Sequence, residues 1–298
     1  MILLYYYNLG GHVVDSETKA IFLDMDGTIL NHYNKVTNRT KEIIDKLRTE
    51  GLLVFIATGR SIEEIEGVVP EGFQVDGLIT SNGMAGYVGE KVVFEHSLSR
   101  KLVETIIDKA RENKVYYELF PYGFSRITLS QDRQFVIDEI TDPKPESVGI
   151  NEWLSRKQAI KGEIDWVESI VGEKFSKFYF FARTKEKINR WIDELDKLKG
   201  EMDFTTSTSS LHNVEVMVAN VNKATGIKQM LNRFNVSHEK TLAIGDSNND
   251  IQMLKFVHHS VAMKNAPDLI KDLADDVTEY TCDEDGVCHY LKQRFFNN

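Results

Sequence analysis

A chain of 298 residues with 42% hydrophobic and 28% charged residues has room for two ordinary domains and the composition of a globular protein. This excludes intrinsic disorder, collagen-like repeats and a disulfide scaffold as the main state, and a core of this size needs no metal or disulfide merely to fold. The 36 basic against 46 acidic residues give a charge of −10 with no basic run, so the positive face of a nucleic-acid binder is missing.

In chain order, Met1–Tyr7 is apolar but is ended by Asn8, Gly10 and Gly11, and it lacks the basic start and small-residue cleavage site of a signal peptide. Residues 1–18 are read as a leader outside the main fold. No stretch approaches the roughly 18 apolar residues of a membrane span. Cys282 and Cys288 fit no zinc spacing, and two thiols in this length suit a reducing compartment. The expectation is a cytoplasmic protein without membrane or nucleic-acid partners, its oligomeric state left open.

Ala20–Leu23 is a short apolar run stopped by Asp24-Met25-Asp26-Gly27-Thr28, as in a buried parallel strand running into a loop. Ile43, Ile44 and Leu47 give helical spacing over 40–50, closed by Gly51. Leu52–Ala57 is a second strand, ending in Thr58-Gly59-Arg60, and Ser61 with Glu63 and Glu64 predicts a capped helix. Gly77–Thr80 is a third strand, before Ser81-Asn82-Gly83. Strands alternating with helices predict a doubly wound, Rossmann-like α/β sheet.

From about residue 86 the rhythm changes to paired strands with interspersed helices. Strands are expected at 92–94, 115–120, 124–129, 174–182, 202–206 and 213–218, with helices at 99–113, 157–171 and 185–199. After about 219 the first rhythm returns, with a helix at 223–234, strands at 240–244 and 259–262, and helices from 250, at 267–273 and at 286–294. The domain reading is a core of 19–85 and 214–298, interrupted by an α+β cap at 86–213 whose hinges are expected near 83–89 and 216–222.

Ligands of open parallel sheets bind beyond the carboxyl ends of the strands. Asp24–Thr28, Thr58–Arg60 and Gly245–Asp250 all fall at such ends, and Lys223 opens a helix just before the last strand. Asp24, Asp26, Asp246 and Asp250 would crowd one site, which is costly without a cation. Oxygen ligands favour a hard ion such as Mg2+. Thr28, Thr58, the loop amides, Asn249 and Lys223 supply donors for phosphate oxygens.

Asp24-Met25-Asp26-Gly27-Thr28, Thr58-Gly59-Arg60, Lys223 and Gly245-Asp246-Ser247-Asn248-Asn249-Asp250 resemble the four motifs of the haloacid-dehalogenase-like superfamily. Their order and the large insertion look like its Cof-type sugar-phosphatase branch, a likeness that runs from Ala20 through Ser81-Asn82-Gly83 to Glu284-Asp285-Gly286-Val287. The resemblance implies a Mg2+-dependent phosphatase of small phosphorylated metabolites, sugar phosphates above all. It makes Asp24 the nucleophile and Asp26 the acid/base; Thr58 and Lys223 bind phosphoryl oxygens, with Gly59 among the phosphate-binding positions. Asp24, the Asp26 backbone carbonyl and Asp246 hold Mg2+; Asn249 contacts phosphate, and Asp250 orients Lys223 or water.

Alternatives stay open on sequence alone. A phosphomutase shares the chemistry, and a non-catalytic regulatory protein shares the scaffold. Asp250 is also explained as a helix cap and Arg60 as a salt-bridge residue. In the cap, Phe178, Phe180 and Trp191 read as core and His212 as a satisfied loop residue, while Tyr116, Tyr117 and Tyr122 are candidates to face a sugar.

Overall fold

The computed structural model describes residues 17–296, so the expected leader lies, except for its last two residues, outside the described residues. The chain builds β1 (Ala20–Leu23), α1 (Asn38–Thr49), β2 (Leu53–Ala57), β3 (Gly77–Thr80), β4 (Ala85–Val88) and β5 (Lys91–Glu95). It then forms α2 (Arg100–Asn113), β6 (Tyr116–Pro121), β7 (Ile127–Leu129), α3 (Arg133–Glu139), α4 (Ile150–Gln158) and β8 (Asp165–Val167). β9 (Phe175–Phe181), α5 (Lys185–Leu198), β10 (Phe204–Ser207) and β11 (Asn213–Val218) complete this excursion. The return is α6 (Lys223–Phe234), β12 (Thr241–Gly245), α7 (Ile251–Phe256), β13 (His259–Ala262), α8 (Asp268–Lys271), β14 (Asp276–Val277) and α9 (Gly286–Phe296).

The core sheet has the order β14-β13-β12-β1-β2-β3-β4-β5, parallel from β14 to β3 and antiparallel at β4 and β5. Strand periodicity divides its apolar residues between two faces. Ile21, Leu23, Val54, Ile56, Leu242 and Ile244 pack on α1 and α9, while Ala20, Phe22, Phe55, Ala57 and Ala243 pack on α6 and α7. Helices on both faces explain why these strands are continuous apolar runs. This is the doubly wound α/β core read from the sequence.

The second sheet, β10-β11-β9-β6-β7-β8, belongs to the inserted cap. One face, with Tyr117, Leu119, Phe178, Phe180, Val214 and Val216, buries itself against α2 and α5. Trp191 is in that core too, as expected, and so is Tyr117, which therefore does not face a ligand. The other face carries charge in the middle of its strands: Glu118 and Glu215 flank Tyr179 in register, and Lys177 lies two residues along β9. His212 is buried, its ring bonded to the Ala182 carbonyl and Ser147, as read.

Several boundaries differ from the sequence reading. The expected cap limits of 86 and 213 both move, because β4 and β5 pair into the core sheet and β11 pairs into the cap sheet. The helix expected at 157–171 is instead α4, a turn over 159–163 and β8, which finds a parallel partner in β7. The helix expected after Ser61 is two single 3₁₀ turns, Ile62–Glu64 and Glu66–Val68, since Gly67 and Pro70 give it no room to continue. The first crossing between sheets lies at Ser97, not at 83–89: His96 N–H donates to the core carbonyl of Met84, and Leu98 N–H to the cap carbonyl of Phe175.

Candidate active site

β1 and β12 run side by side in parallel, Leu23 opposite Ile244, so the residues that follow them emerge together at one sheet edge. Asp24 N–H donates to the Ile244 carbonyl at 3.0 Å, which fixes the Asp24 backbone beside the loop carrying Asp246. α6 starts nearby because Asn222 caps it through the Thr225 N–H. Its first residue, Lys223, is fully buried, and Nζ donates to Asp24 Oδ1 at 2.5 Å and Asp250 Oδ1 at 2.6 Å.

Of the two roles left open by the sequence, Asp250 takes the one beside Lys223; its side chain makes no capping bond to the helix that follows. Oδ1 holds Lys223, and Oδ2 accepts the backbone N–H groups of Asp246 and Ser247, each at 3.0 Å. A Cβ at Gly245 would collide with the Asp250 carboxylate, and one at Gly27 (φ +75°) with that of Asp246, so both loops approach these carboxylates only as glycine. Thr28, expected among the phosphate donors, instead spends its hydroxyl proton on Asp246 Oδ1 at 3.1 Å. It braces a carboxylate.

Carboxylate oxygens of Asp24, Asp246 and Asp250 gather within 4.8 Å of one another. Three carboxylates, those of Asp24 and Asp250 buried and that of Asp246 partly so, face one ammonium, and the charge shows the imbalance. Burial, then Asp250, push the Asp24 carboxyl up to about 7 against the pull of Lys223. Burial, then Asp24 and Asp250, likewise raise Asp246 well above its ordinary value. For Lys223, burial would lower the pKa, but Asp24 and Asp250 outweigh it and keep the ammonium charged. An all-oxygen donor set with surplus negative charge fits a hard divalent cation. Since Asp250 is committed through both oxygens, Asp24 and Asp246 are the carboxylates left to hold one.

Asp26 is not part of that cluster. Its half-exposed carboxylate pairs with both sides of the Arg60 guanidinium, Nη2 to Oδ1 at 2.6 Å and Nε to Oδ2 at 2.9 Å. Arg60 thus has the salt bridge allowed for in the sequence reading. Burial opposes its charge, yet Asp26 and Glu64 raise it further. Thr58 is fully buried at the end of β2, its Oγ1 accepting the Arg60 N–H at 3.1 Å. Gly59 lies against the side chains of Asn82 and Asn249, where a Cβ would stand 3.2 Å from Asn82 Oδ1. Asn249 Nδ2 donates to that same oxygen at 3.2 Å.

The sequence reading placed none of Asn82, Glu64, Arg126, Lys177 or Glu215 in the site, yet all of them meet over this edge. Lys177 Nζ donates to the Gly59 carbonyl and to Glu215 Oε1, both at 2.6 Å, and Arg126 pairs with Glu64 at 3.0 Å and Glu118 at 2.9 Å. A signal was present: single charged residues inside the otherwise apolar strands FSKFYFF, YYELFP and NVEVMV.

Residues 21–291 match the haloacid dehalogenase-like hydrolase family across nearly the whole chain. The chain belongs to that family. Its inserted α+β cap places it in the Cof-type branch, and it is a phosphatase. It is similar to the phosphatase YwpJ of Bacillus subtilis, 27% identical and covering 92% of this chain and 99% of the relative. The 5-amino-6-(5-phospho-D-ribitylamino)uracil phosphatase YcsE of the same organism is 28% identical, with 93% and 96% covered. Among solved structures, a haloacid dehalogenase-like hydrolase from B. subtilis superposes with a TM-score of 0.77 at 26% identity, covering 92% of this chain and 99% of that one. No helix among the described residues is long and apolar enough to cross a membrane.

Proposed function

We propose that the protein hydrolyses phosphate monoesters of small metabolites, sugar phosphates foremost, with Mg2+ and through a phosphorylated Asp24. The observation that carries this reading is the buried Asp24 carboxylate held by Lys223 at the edge where Asp246 and Asp250 gather. A carboxylate desolvated beside a cation, with one oxygen pinned, is a poised nucleophile.

In the first step an Asp24 oxygen attacks phosphorus and the ester P–O bond breaks. The departing alkoxide takes a proton from the Asp26 carboxyl group, which requires Asp26 to leave Arg60 and carry a proton when the substrate is seated. In the second, water attacks the phosphorus of the acyl phosphate and gives its proton back to Asp26, releasing phosphate and restoring Asp24. Lys223 offsets charge spreading over the phosphoryl oxygens, and Thr58, the loop amide at Gly59 and Asn249 bind them. Asp24, Asp246 and the Asp26 backbone carbonyl would hold Mg2+, which when bound would supply Lewis-acid neutralisation of the phosphate dianion.

The sugar-phosphate preference is supported by the charged face of the cap sheet above the site, with Lys177, Glu215 and Arg126, which suits a hydroxyl-rich leaving group better than an apolar one. A relative's named substrate carries a phosphorylated ribityl chain. The test is phosphate release across a panel of phosphorylated metabolites, with and without chelator. Activity that vanishes in chelator, returns with Mg2+, and is abolished in folded Asp24→Asn is the expected result. Turnover by Asp24→Asn would overturn the mechanism.

A further inference from the structure

The cap meets the phosphate-binding loops through charge in an unbroken chain of contacts. Lys177 on β9 donates to the Gly59 carbonyl at 2.6 Å and to Glu215 Oε1 on β11 at 2.6 Å. Glu215 Oε2 accepts Asn82 Nδ2 at 2.6 Å, and Asn82 Oδ1 accepts Asn249 Nδ2 at 3.2 Å. Gly59 adjoins Asn82 and closes the ring. Two members belong to the cap, three to the core, and the three core members include two of the predicted phosphate-binding positions, Gly59 and Asn249.

Asn82 is suited to join them. It follows β3 in a left-handed conformation (φ 56°, ψ 35°) after Ser81 at φ 48°, a region that asparagine tolerates better than most residues. Its N–H donates to the Thr58 carbonyl at 2.9 Å and that of Ser81 to the Arg60 carbonyl at 2.8 Å, which straps this turn to the loop after β2. On the other side, a Cβ at Gly83 would strike the Asn222 carbonyl just before Lys223. The amide orientation follows from chemistry: a carboxylate only accepts, so the NH2 faces Glu215 and the oxygen is left for Asn249.

A buried lysine–glutamate pair is a weak source of stability, since desolvation roughly cancels its attraction. What distinguishes this pair is where its remaining hydrogen bonds go, to two neutral core groups, the Gly59 carbonyl of the phosphate loop and Asn82 in the turn strapped to it. Water replaces both when a cap moves away, so the contact is reversible in a way that an apolar seal is not.

We propose that Lys177, Glu215 and Asn82 are positioning residues through which the seated cap holds the Thr58–Gly59 loop and Asn249 in phosphate-binding register. This rests on the phosphate site assigned above. The test uses the full-length, Mg2+-loaded protein and three variants, N82D, E215Q and the double N82D/E215Q. Two readouts are taken: kcat and KM for p-nitrophenyl phosphate, and calorimetric binding of inorganic phosphate.

N82D sets a carboxylate against Glu215, so kcat should fall tenfold or more and phosphate affinity tenfold or more, with unfolding temperature little changed. Adding E215Q restores a donor–acceptor pair of reversed polarity, and at least tenfold of the loss should return. If N82D leaves kcat and phosphate affinity within threefold, or the double variant is no better than N82D, the proposal is overturned. Phosphate binding is read without turnover, so an inactive wild-type protein would overturn the reaction proposed above and still leave this readout to judge the positioning residues.

Discussion

At the scale of single residues, the role most exposed to test is that of Asp26, the one motif carboxylate outside the buried cluster. Its pairing with Arg60 leaves it half exposed above the site, able to reach a leaving group that the enclosed carboxylates would not. A sugar hydroxylate is a poor leaving group and needs a proton; p-nitrophenolate departs without one. Asp26→Asn should therefore lose far more activity on a sugar phosphate than on p-nitrophenyl phosphate. Because the proposed mechanism has the same residue activate water, the variant should release a burst of phenolate and then turn over slowly. Rapid-quench measurement on both substrates checks this, and equal residual rates without a burst would remove the acid/base role. Asp24, Lys223, Asp246 and Asp250 were legible because each sits at a strand end or helix start that local pattern reveals. Thr28 was half legible: its place in the motif was clear, but the acceptor for its hydroxyl lies 218 residues away.

At the scale of elements, the core strands and α6 were readable because burial on both faces writes continuous apolar runs, and because Asn222 marks the start of α6. What escaped was whatever depends on a distant partner. The 157–171 segment has Ile160, Ile164, Val167 and Val171 at helical spacing, yet β8 forms because β7 lies alongside to pair with it. The charges in the cap strands escaped for the same reason: Glu118 is satisfied by Arg126 and Arg156, from a loop and from α4, and neither position is deducible locally. Burial would raise the Glu118 pKa, but Arg156 and Arg126 outweigh it and hold the carboxyl below its ordinary 4.5. A depressed folded-state pKa gives stability that is present above that value and lost as pH falls below it. Glu118→Gln should cost about 3–5 kcal/mol at pH 7, since the buried Arg156 guanidinium loses its counter-charge and Arg126 loses one of its partners. Its unfolding free energy should also fall less steeply than the wild type's below pH 4.5. Urea titrations of both proteins at pH 7 and pH 4 would show it, and parallel losses would mean that the pair contributes nothing to acid sensitivity.

At the scale of the whole molecule, the cap rests on the core in two unlike ways. Beside the crossings the contact is apolar, with Met84, Met217 and Val221 packed together, and Tyr122 hydroxyl bonds to the carbonyls of Met84 and His96. Over the site it is polar, through Lys177, Glu215 and the Arg126–Glu64 pair. Apolar packing that would survive a small rotation, next to charges that would rehydrate when separated, suits a pivot at Ser97 and residues 219–222. The proposed reaction calls for such a cover, because substrate and then one water must enter the site. In the proposed mechanism the core supplies the groups for the phosphoryl transfer and the leaving group lies against the cap, so specificity should follow the cap. Exchanging residues 98–218 for the cap of another Cof-type phosphatase, with lysine and glutamate kept at the places of Lys177 and Glu215, should reorder kcat/KM across a panel of phosphorylated sugars. Hydrolysis of p-nitrophenyl phosphate, which asks little of the cap beyond seating the phosphate loops, should stay within about tenfold, roughly 1.4 kcal/mol of barrier. A preserved ranking would move specificity into the core. A collapse of p-nitrophenyl phosphate hydrolysis in a folded chimera would instead mean that the cap acts on the phosphoryl transfer through more than those two residues.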